Sequence, residues 1–362
     1  MVNRVYNFSA GPSTVPYSVM ETIKEDFLDY KGVGASIVEI SHRHPIFREI
    51  LDSAELFFRE LTNLPKNYKI LFMHGGAQMQ FSAVPLNLMS RGKNKGSYFI
   101  TGRWGILAEK EARLYGDTEI ILDGKGYNYF KIPTFDSTKL DKESSFAHIT
   151  SNNTLFGTRW NSFPNTGDVP LVVDATSDIL SRVLDYSKFG IVYAGLQKNL
   201  GISGTAIVII REDLIGNALP QTPKLLNYEV FYKHNSLPNT INVFAVYVMN
   251  LVIEWIKDQG GVMQMEMMSK KKSELLYSIL DNSSFYTTLA YPLNRSLMNV
   301  TFNLKNEKLL KKFLKDSEKE GFFGLTGHTL VGGVRASIYN AMPLEGVNEL
   351  SLFMKDFEKK YG

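Results

Sequence analysis

The chain has 362 residues, of which 44% are hydrophobic and 21% charged, with a formal net charge of +3 and no cysteine. This length permits a large core and two domains, and the small net charge gives no support for a nucleic-acid partner. The lack of cysteine excludes disulfides, thiolate metal sites and cysteine nucleophiles.

The N-terminal stretch, MVNRVYNFSAGPSTVP, lacks the apolar segment that a signal peptide carries. No apolar run in the sequence is long enough to cross a bilayer. We therefore expect a soluble, cytoplasmic protein, and its weak positive charge suits small anionic substrates.

Short apolar runs alternate with amphipathic stretches through the middle of the chain. The helix-like stretch QMQFSAVPLNLM follows the first run, although Pro85 is expected to kink or interrupt it. Seven runs read as strands: YKILFMHGG, KGSYFITG, DTEIILDG, FAHITSNNT, VPLVVDATS, FGIVYAGLQ and GTAIVII. Strands that alternate with helices predict an α/β domain with a mostly parallel sheet, whose sites lie at the carboxyl ends of its strands.

The C-terminal part changes character after a polar, glycine-rich break at residues 258–261. Helical patterns at 265–280, 307–321 and 347–360 alternate with strand patterns at 296–304 and 332–340. In the last helix Val347, Leu350, Met354 and Phe357 are expected to point inward. The lysine run 270–272 is expected on a solvated helix face. These patterns predict a smaller α+β unit.

Lys198 lies between two apolar runs in YAGLQKNLGISGTAIVII. A lysine at a strand end commonly extends to water, so other residues must supply the case for a site. Asp174 ends another strand run, in VPLVVDATSD, and the two side chains either share a crevice or form a structural salt bridge.

Three further signals are weak when each is taken alone. Gly75-Gly76 precedes a helical pattern, which provides either a phosphate-binding helix N-terminus or an ordinary cap. Trp104 is either a packing residue or a flat platform, and Thr154 is either a turn residue or a ligand contact. Pyridoxal phosphate (PLP) needs a lysine, a carboxylate, an aromatic face and a phosphate site together. Its lysine must also lose a proton, which a partly desolvated position favours.

The chain resembles the phosphoserine aminotransferases, in the class V branch of the fold-type I PLP enzymes. The resemblance runs nearly end to end. It rests on the ordered motifs NFSAGPS, EISHRHP, HGGAQMQF, TSNNTLFGT, DATSDILSR, YAGLQKNLG, LPNT and GGVRASIYNAMP.

This resemblance implies fold type I, with a seven-stranded, mostly parallel sheet in a large domain of residues 16–258. A smaller α+β domain would comprise residues 259–362 together with the N-terminal segment 1–15. The family also implies a homodimer whose active sites are shared between subunits.

By similarity, Lys198 is the lysine that joins the cofactor's aldehyde, and Asp174 pairs with the ring nitrogen. Trp104 would stack on the ring, and Thr154 would hydrogen-bond on the side of the ring hydroxyl. The cofactor phosphate would be held by Ala77, Gln78 and Gln197 of the same subunit. Asn239 and Thr240 of the neighbouring subunit would also reach it.

The substrate residues are also implied by similarity. Arg335 would bind the α-carboxylate through a bidentate fork, and Ser9 would line the glutamate site. His42, Arg43 and His328 would bind the phosphate or the distal carboxylate. From the residues alone, SHRHP is also compatible with a helix start, whereas we expect no metal site because Arg43 repels a cation. Arg335 is also compatible with a surface salt bridge.

One departure from the family concerns Gln78, because some members carry an arginine there. The charge for the substrate's phosphate must then come from His42, Arg43 and His328. Histidine titrates near neutrality, so we expect substrate affinity to fall above about pH 7.

The resemblance implies transamination from glutamate to 3-phosphohydroxypyruvate in serine biosynthesis, with a phosphorylated four-carbon homologue possible in pyridoxine biosynthesis. The alternatives are another class V small-acid aminotransferase and a non-catalytic binding protein with a PLP-type fold. The missing cysteine argues against cysteine desulfurases, and neither glycine-rich turn fits a nucleotide-binding G-x-G-x-x-G motif.

Overall fold

The computed structural model of the chain describes residues 4–362, so the first three residues of the predicted segment 1–15 lie outside the described part. The larger helices are α1 Tyr17–Asp26, α2 Pro45–Thr62, α3 Ala77–Leu88, α4 Arg103–Ala112, α5 Tyr228–Lys233, α6 Val243–Asp258, α7 Gly261–Asn282, α8 Leu310–Lys319 and α9 Leu344–Tyr361. The strands are β1 Tyr6–Asn7, β2 Tyr68–His74, β3 Lys95–Ile100, β4 Asp117–Asp123, β5 Phe146–Thr150, β6 Asn152–Asn153, β7 Thr158–Arg159, β8 Leu171–Asp174, β9 Ile191–Gly195, β10 Thr205–Arg211, β11 Tyr286–Thr288, β12 Asn299–Leu304, β13 Phe322–Phe323 and β14 Val334–Ser337.

The central sheet has seven strands in the order β2-β10-β9-β8-β5-β3-β4. Neighbours from β9 to β4 pair in parallel, whereas β10 runs antiparallel to both β2 and β9. Every residue of β5, β8 and β9 is buried, because helices cover both faces of the sheet. The predicted mostly parallel α/β sheet is confirmed, and all seven predicted strand runs contribute a strand to it.

Helix α3 continues through Pro85, which had been expected to kink or interrupt it. The backbone N–H of Met89 still donates to the carbonyl oxygen of Pro85 at 2.9 Å. The helix thus extends past Pro85 and ends at Leu88.

The C-terminal part forms an antiparallel sheet in the order β11-β12-β14, with α7, α8 and α9 beside it. The N-terminal strand β1 pairs in parallel with β13, which joins the start of the chain to this unit. The inward positions predicted for α9, namely Val347, Leu350, Met354 and Phe357, are all buried.

The core forms separate hydrophobic clusters, and helix α7 contributes to two of them. Val262 and Met265 pack with the central-sheet cluster, whereas Leu276 and Ile279 pack in the C-terminal cluster. The chain division at residue 258 remains a prediction, because this helix links the two clusters. In the part of the chain from residue 4 onward, no helix is long and apolar enough to cross a membrane.

Lys272 corrects the prediction that the lysine run 270–272 is solvated. Lys271 is exposed, but Lys272 is only 1% exposed. Its ammonium donates to the carbonyl oxygens of Tyr339 at 2.6 Å and of Met342 at 3.0 Å. The helical pattern of α7 gave no sign of this contact, because the acceptors lie about seventy residues further along the chain.

Burial lowers the pKa of Lys272 to about 7, while the carbonyl acceptors favour the charged form. Its folded-state pKa thus lies below the value of about 10.4 that an unfolded chain gives. Between these two values the unfolded chain binds more protons, so stability rises with pH across that window.

We predict that the free energy of unfolding of the wild type increases relative to that of Lys272→Met as the pH is raised from 7 to 10. The slope should not exceed about 1.4 kcal/mol per pH unit. Urea unfolding at several pH values measures it, with the exposed neighbour Lys271→Met as the control. A difference that does not change with pH would show that Lys272 keeps an ordinary pKa.

Candidate active site

A cavity of about 480 Å³ opens at the carboxyl ends of β5, β8 and β9. Such an edge is where ligands bind in parallel α/β sheets. Nine of the predicted site residues line it: Ala77, Gln78, Trp104, Thr154, Asp174, Gln197, Lys198, His328 and Arg335.

Lys198 follows β9, and its Nζ donates a 2.7 Å hydrogen bond to Oγ1 of Thr154. Burial lowers the pKa of Lys198 to about 8, the negative charge of Asp174 opposes this shift, and the positive charge of Arg335 adds to it. An appreciable fraction of this amine is therefore neutral near physiological pH, as a nucleophile or a general base requires.

Asp174 is the last residue of β8 and is 5% exposed. Its Oδ1 accepts the backbone N–H of Thr176 at 3.0 Å. Burial raises the pKa of Asp174, whereas the hydrogen bonds from Thr176 and the charge of Lys198 lower it. Lys198 and Asp174 line the same cavity, which is one of the two arrangements that the sequence left open.

The start of α3 forms a concave end of the cavity. Gly76 precedes the helix with φ of 70°, a left-handed conformation that favours glycine, and no side chain caps the helix. A Cβ atom at Gly195 would lie 2.4 Å from Oε1 of Gln197 and 3.2 Å from the backbone N of Ala77. The cavity therefore brings together the end of β9, the Gln197 amide and the free N–H groups of α3, as an anion site requires.

Another part of the cavity lining carries positive charge. Arg335 lies in β14, and burial lowers its pKa, although a guanidinium stays charged at neutral pH. Burial lowers the pKa of His328, and the charges of Arg335 and Arg103 lower it further. Sequence reasoning missed Arg103, the first residue of α4, although it stands beside Trp104 in the GRWG motif.

Five predicted residues do not line this cavity within residues 4–362: Ser9, His42, Arg43, Asn239 and Thr240. Ser9 packs against Gly324, and Oδ1 of Asn239 lies 2.9 Å from Nε2 of His74. In SHRHP, His44 caps helix α2 by accepting the backbone N–H of Ile46 at 3.3 Å. One chain alone thus does not bring the motifs SHRHP and LPNT to Lys198.

His42 is buried, and its burial and the charge of Arg43 lower its pKa. Because the pKa of His328 is lowered as well, both rings lose their proton at a lower pH than an ordinary histidine does. The expected fall in affinity above about pH 7 is therefore moved to lower pH.

Several cavity residues were not predicted from the sequence, among them Ala10, Gly11, Thr150, Asn152, Thr176 and Ser177. The N-terminal pair belongs to the NFSAGPS motif, and a Cβ atom at Gly11 would lie 3.4 Å from Cγ of Lys198. Thr150 ends β5 and is the register partner of Asp174. Its position at a strand end beside a strand-end aspartate was the signal that could have identified it.

The residues present fit PLP. The cavity holds an amine, a buried carboxylate and an uncapped helix start. The buried polar atoms Nε1 of Trp104 and Oγ1 of Thr150 have no hydrogen-bond partner within the described chain. Buried polar atoms in native proteins are usually partnered, so these two at a cavity are consistent with a polar ligand.

The aminotransferase class-V family matches residues 5–350 of the chain. Phosphoserine aminotransferase from Bacillus anthracis is 47% identical over 358 residues, which cover 99% of both proteins. The protein of the same name from Geobacillus kaustophilus is 46% identical, over 99% of this chain and 100% of the relative.

Solved structures show the same similarity. Phosphoserine aminotransferase from Bacillus circulans subsp. alkalophilus superposes with a TM-score of 0.96 at 42% identity, with both chains fully covered. PLP-bound phosphoserine aminotransferase from Trichomonas vaginalis gives a TM-score of 0.92 at 32% identity, over 97% of this chain and all of that one. An alanine–glyoxylate aminotransferase from Nostoc sp., at 17% identity and a TM-score of 0.77, shares the fold alone.

We predict that Lys198 in the cofactor-free chain titrates near pH 8, as burial lowers its pKa to about that value. Asp174→Asn should lower the pKa of Lys198 and Arg335→Met should raise it, because each removes a charge that acts on the amine. Acetylation at a series of pH values, read by mass spectrometry for the Lys198 peptide, measures these shifts. The exposed Lys271 is an internal reference. Shifts of the same sign in both variants would contradict this electrostatic account.

Proposed function

Because the chain belongs to the phosphoserine aminotransferase family of the class-V aminotransferases, we propose that it transfers an amino group from glutamate to 3-phosphohydroxypyruvate. The products are O-phosphoserine and 2-oxoglutarate, which gives the enzyme a role in serine biosynthesis. Members of this family are PLP-dependent transaminases. The observation that carries the proposal is the single cavity that combines the Lys198 amine, the Asp174 carboxylate, the open start of α3 and the Arg335 guanidinium.

The cationic side of the cavity supports a substrate with two anionic groups. Arg335 offers a planar fork that matches a carboxylate, and the positive charge of Arg103 acts on His328 beside it. A small neutral side chain needs no such charge, which argues against a glyoxylate or alanine specificity. The four-carbon phosphorylated homologue carries the same anionic groups, so we also propose a second role in pyridoxine biosynthesis. A cytoplasmic location is part of the same proposal.

When bound, PLP supplies an aldehyde that takes up amino groups and a ring that draws electrons from the substrate's Cα. The residues that would hold it are Lys198 at the aldehyde, Asp174 at the ring nitrogen and Trp104 on the ring face. Thr154 would lie on the ring-hydroxyl side, with Ala77, Gln78 and Gln197 at the phosphate.

Lys198 would act as both base and acid at the reacting carbon. With a pKa of about 8, its amine is able to take the proton from the Cα of glutamate and return a proton afterwards. Asp174 would keep a proton on the ring nitrogen, because its buried carboxylate favours a positive partner. Arg335 would fix the α-carboxylate, so that the Cα proton points at Lys198.

A homodimer would account for four of the five predicted residues that lie outside the cavity of the described chain. We propose that Asn239 and Thr240 reach the cofactor phosphate of the neighbouring subunit, and that His42 and Arg43 contribute to a shared substrate site. Thr240 is exposed, and Asn239 is held by His74 just before the Gly75-Gly76 turn. A monomer would then lack part of each site.

The test of the reaction is a coupled assay with glutamate as the donor. We expect kcat/KM for 3-phosphohydroxypyruvate to exceed that for hydroxypyruvate and glyoxylate by about 100-fold or more, because the site would leave unpaired charges with an unphosphorylated acid. Lys198→Ala should abolish turnover, and borohydride reduction should no longer attach the cofactor to the protein. Comparable kcat/KM values for glyoxylate and the phosphorylated acid would reject the proposed specificity.

The shared site predicts complementation between two inactive variants. Lys198→Ala lacks the amine, and Thr240→Glu would place a negative charge at the partner's cofactor phosphate. Each should be inactive alone, whereas co-expressed chains should recover activity, because one of the two sites in a mixed dimer has neither change.

Thr287→Glu is the control for the added charge, because Thr287 is also exposed but lies on β11. This variant should stay active by itself. If co-expression of the two inactive variants restored nothing, while their mixed dimers formed, Thr240 would not serve a neighbouring site.

A further inference from the structure

His74 connects the Gly75-Gly76 turn with the LPNT motif of the same chain. It is the last residue of β2 and directly precedes the turn that leads into α3. Its Nε2 lies 2.9 Å from Oδ1 of Asn239 in the LPNT motif. Gly75 and Gly76 line the cavity of the described chain, whereas Asn239 does not. His74 therefore stands between one end of its own cavity and a residue proposed to serve another.

The acceptor decides which atom of this hydrogen bond carries the proton. A side-chain amide oxygen accepts and never donates, so Nε2 must be the protonated ring nitrogen of His74. With Oδ1 of Asn239 bound to the ring, the Nδ2 group lies on the other arm of the same planar amide. Its two N–H donors therefore point away from His74. The ring thus determines which end of the amide faces outward.

The backbone before Asn239 is held against the edge of the central sheet. β2 is an end strand of that sheet, and the backbone N–H of Phe72 donates to Oγ of Ser236 at 3.0 Å. Ser236 is buried and has φ of 64°, a left-handed conformation that residues other than glycine rarely adopt. Contacts at Phe72 and at His74 therefore fix this segment to β2 at two points.

The start of α6 fixes the segment on its other side. Asn242 caps this helix by accepting the backbone N–H of Ala245 at 3.0 Å, and Ile241 is buried in the core cluster of the central sheet. Between these anchors Asn239 is half-buried and Thr240 is exposed. The two polar side chains are therefore the part of the segment that is presented outward, and the histidine ring orients the first of them.

The orientation of this amide decides its chemistry toward an anion. An amide NH2 group beside a hydroxyl, as Asn239 and Thr240 provide, offers donors to a ligand with several acceptor oxygens. A phosphate monoester is such a ligand. An outward amide oxygen would instead place lone pairs against the lone pairs of the phosphate. The hydrogen bond from His74 therefore selects the end of the amide that attracts the anion.

We propose that His74 is a positioning residue for the cofactor phosphate of the neighbouring subunit, which acts by turning the Nδ2 donors of Asn239 outward. This inference rests on the proposed function, because it needs the shared sites of a homodimer. A role of His74 in its own site would act instead through the adjoining Gly75-Gly76 turn. The two roles affect different sites of the same dimer.

Mixed dimers in which only one site holds the lysine decide between these roles. One chain carries Lys198→Ala, so borohydride attaches PLP only to Lys198 of the other chain. The PLP concentration that gives half-maximal attachment, read by mass spectrometry, measures binding at that one site. His74→Leu in the Lys198→Ala chain should raise this concentration about tenfold, because the labelled site loses an oriented amide donor. The same substitution in the chain that keeps Lys198 should leave it unchanged, since the Asn239 of that chain serves the other site.

His74→Gln and His234→Leu are the controls. Glutamine keeps an N–H donor, so His74→Gln should preserve the wild-type concentration in either chain. His234 ends α5 shortly before the LPNT motif, and its Nδ1 lies 2.8 Å from the carbonyl oxygen of Val230. His234→Leu removes a comparable histidine contact without touching Asn239, so it should have no effect in either chain. The arrangement with His74→Leu in the chain that keeps Lys198 also checks that this variant folds.

Asn239→Ala, placed in the same two arrangements, separates the failure of this proposal from the failure of the proposed function. If Asn239→Ala has no effect in the Lys198→Ala chain, the shared site is rejected, and the role of His74 with it. If Asn239→Ala acts there but His74→Leu does not, only the role of His74 is wrong. An effect of His74→Leu in the chain that keeps Lys198, no recovery in His74→Gln, or an equal shift in His234→Leu would each overturn the proposal.

Discussion

The site depends on keeping one amine partly out of water without removing its charge completely. A fully hydrated lysine stays protonated at neutral pH and is neither a nucleophile nor a base, whereas an isolated buried ammonium is too costly to maintain. In this chain burial lowers the pKa of Lys198, and the nearby carboxylate of Asp174 limits the shift. The hydroxyl of Thr154 supplies the remaining polar contact. The intermediate result, a pKa of about 8, leaves both protonation states accessible.

This balance is assembled from distant parts of the chain. The central sheet places Asp174 and Lys198 at the ends of adjacent parallel strands, β8 and β9. The N-terminal segment joins them, since Ser13 donates from its backbone to Gln197 and from its hydroxyl to the carbonyl oxygen of Lys198 at 2.7 Å. The C-terminal unit adds Arg335 and, through Tyr339, a hold on Ala10. A displacement of either unit would therefore alter the surroundings of the same amine.

The sequence predicted the parts of this arrangement that are local. Continuous apolar runs identified the strands of the central sheet, because a strand buried on both faces has no polar alternation. The family resemblance identified nine residues that line the cavity, seven of them within the ordered motifs. The features that were missed are set by contacts distant in sequence. Lys272 is buried because a turn near residue 340 supplies its acceptors, and Tyr339 meets Ala10 only once the N-terminal segment has folded back. Asn239 and Thr240 lie outside the cavity of the described chain, and their contact with a neighbouring subunit's cofactor stays a prediction.

The cationic side of the cavity is built from groups that oppose one another. Arg335 lowers the pKa of both Lys198 and His328, and Arg103 lowers that of His328 further. Burial is the larger cause that lowers the pKa of His328, and an anion bound beside the ring would raise that pKa. Positive charge would then increase only when a ligand is present. Gln78, which lines the same cavity, adds no fixed cation to this balance. The charge for the substrate is therefore left to Arg335 and the groups around it.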